Sequence, residues 1–221
     1  YKADHVHAPA LLQRLPLQSA GQAACEPLAA DLAGDLERLS LARADLVTAS
    51  ALLDLVSQAW VTRLVEQLAK AGDARPALLF ALSYDGRMTW TPAHPVDERV
   101  AGAFNRDQRK DKGFGPAMGP TAAATTARLL RAAGYEVEQA TSDWVLDAGG
   151  QQLQRELTRG VAAAVAADAT LATPSASESW VLASNHAAQL DEWLRFRLRE
   201  MDAGPATLRV GHVDLLALPG R

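Results

Sequence analysis

The sequence has a single cysteine, Cys25, so it cannot form an intrachain disulfide framework. It also lacks any apolar run approaching the roughly 20 residues that a membrane-spanning helix needs. Excess positive charge is missing as well: the formal net charge is -4, which gives no overall attraction to nucleic acid or to an anionic membrane. These absences favour a cytoplasmic protein with neither a nucleic-acid nor a membrane partner.

What the sequence does contain is typical of one globular domain. Apolar residues make up 48% of its 221 residues and charged residues 22%, which excludes disordered and fibrous chains. A chain of this length can still bury one continuous core, so we predict a single domain over residues 1–221. Tyr1 is not an initiator methionine, and we expect the natural protein to begin upstream of it.

Segments with strand-like and helix-like patterns alternate along the chain. The predicted strands cover about 44–49, 77–82, 135–146 and 207–216, and the predicted helices about 60–68, 120–133, 151–167 and 178–201. This alternation predicts an α/β fold with a sheet covered on both faces.

The segment 83–119 interrupts this rhythm, being rich in proline, glycine and charge. It contains Asp85-Gly86, a strong turn dipeptide, and a hairpin over Arg87 to Thr91 would be compatible with the pattern. A long irregular segment in a compact domain is usually a binding loop, so we expect a substrate loop or lid here.

In open α/β sheets, ligands bind outside the carboxyl ends of the strands. This rule selects four short stretches as candidate binding residues, where a predicted strand gives way to a loop. They are 4–5, 31–32, 48–54 and 83–85.

The order of several short motifs resembles that of class I S-adenosylmethionine-dependent methyltransferases, in particular bacterial members of unassigned substrate. The matching segments are Ala3-Asp4-His5, Ala30-Asp31-Leu32, Asp45 to Asp54, Phe104 to Arg109, Lys112 to Pro116 and Ser142-Asp143-Trp144. The resemblance implies a Rossmann-like doubly wound sheet whose last strand is antiparallel. The family's Gly-rich loop is absent, which implies that the first strand and this loop lie upstream.

The resemblance also implies a cofactor site for S-adenosylmethionine. Asp4, with His5, would receive the ribose hydroxyls, and a carboxylate suits this role because it accepts two hydrogen bonds. Asp31 and the backbone of Leu32 would address the adenine. The strand end Thr48-Ala49-Ser50 would pass beneath the methionine part.

Methyl transfer needs the acceptor held in line with the methyl carbon, exclusion of water, and in some cases a base. The candidate bases in the segment 83–119 are His94 and Asp85. The residues that we expect to bind the small-molecule acceptor are Tyr84, Trp90, Arg109, Lys112 and Trp144.

Several of these residues have structural alternatives. Asp4 would serve equally as an exposed loop carboxylate, and Asp31 as a helix N-cap. His5 and His7 lack an evident third metal ligand, so no metal site is predicted. Trp60, Trp180 and Trp193 are predicted core residues, while the arginines at 195, 197 and 199 are expected to keep a helix surface soluble.

Three functions therefore compete. The first is methyl transfer from S-adenosylmethionine to an oxygen, nitrogen or carbon atom of a small molecule. The second is a non-catalytic Rossmann-like binding module that has lost the cofactor site, which the missing Gly-rich loop favours. The third is a nicotinamide-dependent oxidoreductase, which shares a ribose-binding carboxylate but would need a catalytic Tyr and Lys pair that is not evident.

Overall fold

The computed structural model describes residues 27–167 and 181–220. Its helices are α1 (Gln58–Ala69), α2 (Asp97–Asp107), α3 (Ala122–Ala132), α4 (Gln151–Ala166) and α5 (Val181–Ala203). Its strands are β1 (Leu46–Ser50), β2 (Ala77–Thr91), β3 (Tyr135–Thr141), β4 (Trp144–Leu146) and β5 (Thr207–Pro219). The α/β fold predicted from the sequence is confirmed.

The five strands form one sheet in the order β1-β2-β5-β3, with β4 also paired to β5. Strands β1 and β2 are parallel, and Leu46 stands opposite Ala77. The last strand, β5, runs antiparallel to both β3 and β4, as expected. It is inserted between β2 and β3, so the chain crosses over before its final strand.

Contacts divide the described residues into two compact units. The first unit comprises 27–85, 111–142 and 212–220, and the second comprises 86–110, 143–167 and 181–211. Each of the long strands β2 and β5 contributes residues to both units.

The core of the first unit lies between its strands and the helices α1 and α3. Ser57 starts α1 as an N-cap, because its Oγ accepts a hydrogen bond from the Trp60 backbone N–H at 3.1 Å. Apolar residues at helical spacing then turn one face of α1 toward the sheet. The buried residues of this core on α1 are Trp60, Val61, Leu64 and Leu68, on α3 Ala122, Ala127 and Leu130, and on the strands Leu78, Phe80, Tyr135, Leu215 and Ala217.

Strand β2 is longer than the sequence pattern predicts. The predicted end at Leu82 is wrong, because the strand continues to Thr91 and Asp85-Gly86 forms no turn. Leu82 and Gly86 take positive φ angles of 56° and 90°, which alter the strand locally without ending it. The five residues Arg87–Thr91 then alternate exposed and buried, the period expected of a strand.

The segment 83–119 is therefore not an irregular loop. Its first nine residues complete β2, and residues 97–107 form α2. Asp97 and Glu98 place acidic side chains in the first turn of this helix, where they complement the helix dipole. The substrate-binding role of the segment stays a prediction.

The second unit has its own core, in which Trp193 is fully buried as predicted. The prediction that Arg197 lies on the solvent surface is wrong, because its side chain is only 2% exposed. Its guanidinium donates to Asp97 Oδ1 and to the Pro92 carbonyl oxygen, so that a buried charge is both paired and hydrogen-bonded. No described helix is both long and apolar enough to cross a membrane.

Candidate functional site

The candidate site in the first unit lies at the carboxyl end of β1. The chain leaves the strand at Ala51, whose φ is 51°, while its N–H still donates to the Ala81 carbonyl oxygen at 3.0 Å. The following loop is fixed by two backbone bonds: Gly119 N–H donates to the Asp54 carbonyl oxygen at 3.0 Å, and Met118 N–H to that of Val56 at 2.9 Å. The loop therefore holds Asp54 in a defined position beside the strand end.

Asp54 carries a carboxylate that is almost fully buried, with a relative exposure of 8%. Its Oδ1 has no hydrogen-bond partner among the described residues. Burial raises the pKa of the Asp54 carboxyl, although hydrogen bonds from the backbone N–H groups of Asp54 and Tyr84 oppose that change. Buried polar atoms usually have a hydrogen-bond partner, which makes the Asp54 Oδ1 atom a candidate contact for a ligand or a water molecule.

The neighbouring strand β2 adds Tyr84 to this site, since its backbone N–H donates to Asp54, and Ser83 precedes it in the strand. The Ser83 side chain is fully buried, and its Oγ likewise has no partner within the described part of the chain. The Tyr84 ring packs against His212 edge to face, with 6.3 Å between centroids. Burial raises the pKa of the Tyr84 phenol, and the carboxylates of Asp85 and Asp54 raise it further, so the hydroxyl stays protonated.

Asp214 on β5 fixes the geometry of β2 at this point. Its buried Oδ1 accepts hydrogen bonds from the Leu82 backbone N–H at 2.8 Å and from the Ser142 hydroxyl at 2.6 Å. Since a left-handed backbone is unfavourable for a leucine, the bond to Leu82 helps to hold that conformation. Sequence reasoning missed Asp214. The feature that could have identified it is a single carboxylate within an apolar strand.

The cofactor residues predicted from the sequence fall in different surroundings. Asp4 and His5 lie outside the described residues. Thr48 and Ser50 are exposed on β1, and Ala49 packs against the core of the first unit. The structure therefore places Asp54, at the end of the same motif, as the buried polar group of this strand end.

Asp31 lies in a turn and not at a helix N-terminus. Its Oδ1 accepts a hydrogen bond from the Ala33 N–H at 3.0 Å, and its backbone oxygen accepts one from Gly34. The N-cap alternative is therefore wrong, because the residues that follow form a turn. The Leu32 carbonyl oxygen accepts a hydrogen bond from Trp60 Nε1 at 2.7 Å, which ties this turn to α1.

The second unit contains a cavity of about 860 Å³. Two of the predicted residues, His94 and Trp90, line it. Trp90 is buried, and its ring packs edge to face against Trp193 with 5.2 Å between centroids. Arg109 is exposed just beyond α2 and Trp144 lies in β4, and neither is among the residues that line this cavity.

His94 is held by the first turn of α2. Its backbone N–H donates to Asp97 Oδ2 at 2.8 Å, and its Nδ1 accepts from the Val96 N–H at 3.2 Å. A neutral imidazole whose Nδ1 accepts carries its proton on Nε2. The geometry therefore favours Nε2 as a hydrogen-bond donor.

The two remaining predicted residues, Asp85 and Lys112, belong to the first unit. Asp85 is half-buried on β2 and lies close enough to Tyr84 to raise its pKa. Lys112 is exposed. The described residues contain no group of three or more His, Cys, Asp or Glu side chains that could hold a metal ion.

Comparison with known proteins adds no assignment. No model of a known protein family matches this chain. A search of curated proteins also finds no match.

Proposed function

We propose that this chain belongs to a cytoplasmic, class I S-adenosylmethionine-dependent methyltransferase with a Rossmann-like fold. It transfers a methyl group to an oxygen, nitrogen or carbon atom of a small molecule. The order of the sequence motifs first suggested this function. Support from the fold comes from the parallel pair β1 and β2 and from the antiparallel last strand.

The observation that carries the proposal is the location of the Asp45 to Asp54 motif. It forms β1 and the loop at its carboxyl end, beside the parallel strand β2. Ligands of open α/β sheets bind at this edge. The motif assigned to the cofactor by resemblance therefore lies where a cofactor of this fold class would bind.

The polar groups at this edge fit S-adenosylmethionine, which is positively charged at sulfur and carries ribose hydroxyls. Asp54 Oδ1 and Ser83 Oγ are buried polar atoms that have no partner in the described chain. A carboxylate oxygen accepts hydrogen bonds from hydroxyl or ammonium groups, and a serine hydroxyl can donate or accept one. The bound cofactor would supply the methyl group, while Asp54 would orient it.

Tyr84 fits a positioning role in this site. Its raised pKa keeps the hydroxyl protonated at neutral pH, so it acts as a hydrogen-bond donor and not as a base. Asp85, half-buried beside it, remains the candidate base in the first unit. His94 fits a donor role better than a base role because its Nδ1 already accepts a backbone N–H.

The proposal is tested by thermal unfolding of the protein with increasing S-adenosylhomocysteine. A ligand that binds only the folded state must raise the melting temperature with its concentration. Asp54→Asn should weaken binding roughly tenfold, the scale expected for loss of a charge-assisted bond. The matched control is Asp73→Asn, which changes an exposed carboxylate in the turn after α1 and should leave the affinity unchanged.

Two results would overturn the proposal. Absence of any shift at millimolar ligand would support the non-catalytic binding module. Reduction of a nicotinamide cofactor in the presence of alcohols would support the oxidoreductase. Equal ligand affinity of wild type and Asp54→Asn would move the binding site away from the end of β1.

A further inference from the structure

The backbone of β2 changes conformation at Leu82, two residues before Tyr84. The φ angle of Leu82 is 56°, in the left-handed region, which is sterically unfavourable for a leucine. The strand nevertheless continues through this position to Thr91. The direction of the peptide groups that follow Leu82 therefore depends on whether this residue keeps its unusual conformation.

Asp214 on β5 holds the left-handed conformation of Leu82. Its Oδ1 accepts hydrogen bonds from the Leu82 backbone N–H at 2.8 Å and from the Ser142 hydroxyl at 2.6 Å. Asp214 is only 3% exposed, so water does not readily replace either bond. If Leu82 returned to an extended conformation, it would lose this bond, and a buried carboxylate would have one donor fewer.

The conformation of Leu82 affects the candidate site through Tyr84. The Tyr84 backbone N–H donates a hydrogen bond to the Asp54 carboxylate, and only Ser83 lies between Tyr84 and Leu82 in the chain. Rotation about the backbone bonds of Leu82 would reorient the peptide groups that follow it. Such a rotation would move the Tyr84 N–H away from Asp54.

Strand β5 supports Tyr84 at a second point. His212, two residues before Asp214, packs edge to face against the Tyr84 ring, with 6.3 Å between centroids. The Ser142 backbone N–H donates to the His212 carbonyl oxygen at 2.9 Å, so Ser142 is bonded to both of these β5 residues. The position of Tyr84 is therefore set from β5 as well as from the loop that contains Asp54.

We infer that Asp214 is a positioning residue for the candidate ligand site at Asp54. By holding Leu82 in its left-handed conformation, Asp214 places the Tyr84 N–H on the Asp54 carboxylate. Asp54 is then oriented before a ligand arrives, which reduces the cost of ordering the site on binding. The identity of the ligand rests on the proposed function, whereas the link from Asp214 to Asp54 does not.

Nuclear magnetic resonance of the Tyr84 amide measures this link without any ligand. The chain has three tyrosines, so isotope labelling of tyrosine alone gives few amide signals, and Tyr84→Phe identifies the relevant signal by its loss. Because this amide donates to the Asp54 carboxylate, its signal should shift as that carboxyl titrates. Asp54→Asn is the control and should remove this shift, since any remaining change then comes from Asp85 beside Tyr84.

Substitutions of Asp214 test whether it controls this shift. Asp214→Leu removes the acceptor and should abolish the pH-dependent shift of the Tyr84 signal. Asp214→Asn should retain the shift, because its carbonyl oxygen can still accept both hydrogen bonds. Ser142→Ala is the matched control, since it removes only the second bond to Asp214 and should also retain the shift. An unchanged shift in Asp214→Leu, or an equal loss in Ser142→Ala, would overturn the inference.

Substitutions of Leu82 test whether Asp214 acts through the backbone of this residue. Glycine adopts a positive φ without steric cost, so Leu82→Gly combined with Asp214→Leu should restore part of the shift. A purely structural role for Asp214 predicts no such recovery. Leu82→Ile keeps Asp214 but makes the left-handed conformation less favourable, so it should weaken the shift even if Asp214→Leu does not fold. A full shift in Leu82→Ile would contradict the inference.

Affinity for S-adenosylhomocysteine separates this inference from the proposed function. Asp214→Leu should weaken binding about tenfold, and adding Leu82→Gly should recover about threefold of that loss. Asp214→Asn should bind as tightly as the wild type. A wild type that binds no S-adenosylhomocysteine, but whose Tyr84 shift depends on Asp214, would refute the proposed function alone. A Tyr84 shift that is independent of Asp214 would refute the positioning role, whatever the affinity.

Discussion

The buried ion pair between Arg197 and Asp97 allows a sharp prediction about stability. Arg197 is 2% exposed and Asp97 is 16% exposed, so replacing Arg197 with methionine leaves a nearly buried carboxylate without its cation. Removing one partner of a buried pair costs about 3–5 kcal/mol. Asp97 keeps hydrogen bonds from the His94 N–H and from Trp193 Nε1, both at 2.8 Å, which places the expected loss near the lower limit.

Aromatic contacts add to the effect of this substitution. The guanidinium carbon of Arg197 lies 5.1, 5.6 and 5.9 Å from the ring centroids of Phe196, Trp90 and Trp193. Methionine restores most of the apolar contact but not the attraction between a cation and a ring. We therefore expect Arg197→Met to lower the free energy of unfolding by about 3 kcal/mol. This corresponds to a decrease of roughly 6–12 °C in melting temperature for a chain of this size.

Urea denaturation followed by circular dichroism measures this change. The matched control is Arg195→Met, two residues earlier on the same helix, where the side chain is exposed and should change stability by less than about 0.5 kcal/mol. Asp97→Asn combined with Arg197→Met should recover part of the loss, because no buried charge then remains unpaired. A loss below about 1 kcal/mol in Arg197→Met, with an unchanged slope against urea, would refute the reasoning.

Three further predictions concern stability elsewhere in the chain. Burial raises the pKa of Asp54 in the folded protein, so the native state binds more protons than the unfolded chain and stability falls as the pH rises from about 3.9 through that higher pKa. The stability of Asp54→Asn relative to the wild type should therefore increase with rising pH and should show no gain near pH 3. A series of urea midpoints measured for both proteins over this pH range checks the prediction. A difference between the two midpoints that does not change with pH would contradict it. Ser57→Ala removes the N-cap bond to Trp60 and should cost about 1 kcal/mol by urea denaturation, whereas an unchanged midpoint would show that the cap is dispensable. Gly160→Ala, in the exposed interior of α4, should raise stability by about 0.5–1 kcal/mol in thermal unfolding, and a lowered melting temperature would indicate an unseen contact there.

Local patterns were sufficient to predict most of the elements. The helical spacing of Trp60, Leu64 and Leu68 identified α1, because these side chains lie on one face of a helix whatever surrounds them. The run from Ala77 to Leu82 identified the first part of β2, since a strand without a polar face is buried on both sides. The strand-end rule also included Asp54, although the cofactor residues taken from the resemblance ended at Ser50.

Other features depend on partners that are distant in sequence. Strand β2 continues past Leu82, where Asp214, 132 residues away, accepts the Leu82 N–H, and it lies between β1 and β5 in the sheet. Arg197 looks like a surface arginine from helical spacing, and only the position of Asp97, 100 residues away, shows that it is buried and paired. The spacing of residues along the chain shows which side chains share one face of a helix or strand. It does not show which other element packs against that face.

The sequence by itself determined the α/β class, the position of most strands and helices, and the strand end that contains Asp54. The tertiary structure alone decided the length of β2 and the burial of Arg197 and Asp214. The physical reason is that secondary structure follows from periodic burial along the chain. The environment of a charged side chain is set by groups that reach it only when the chain has folded.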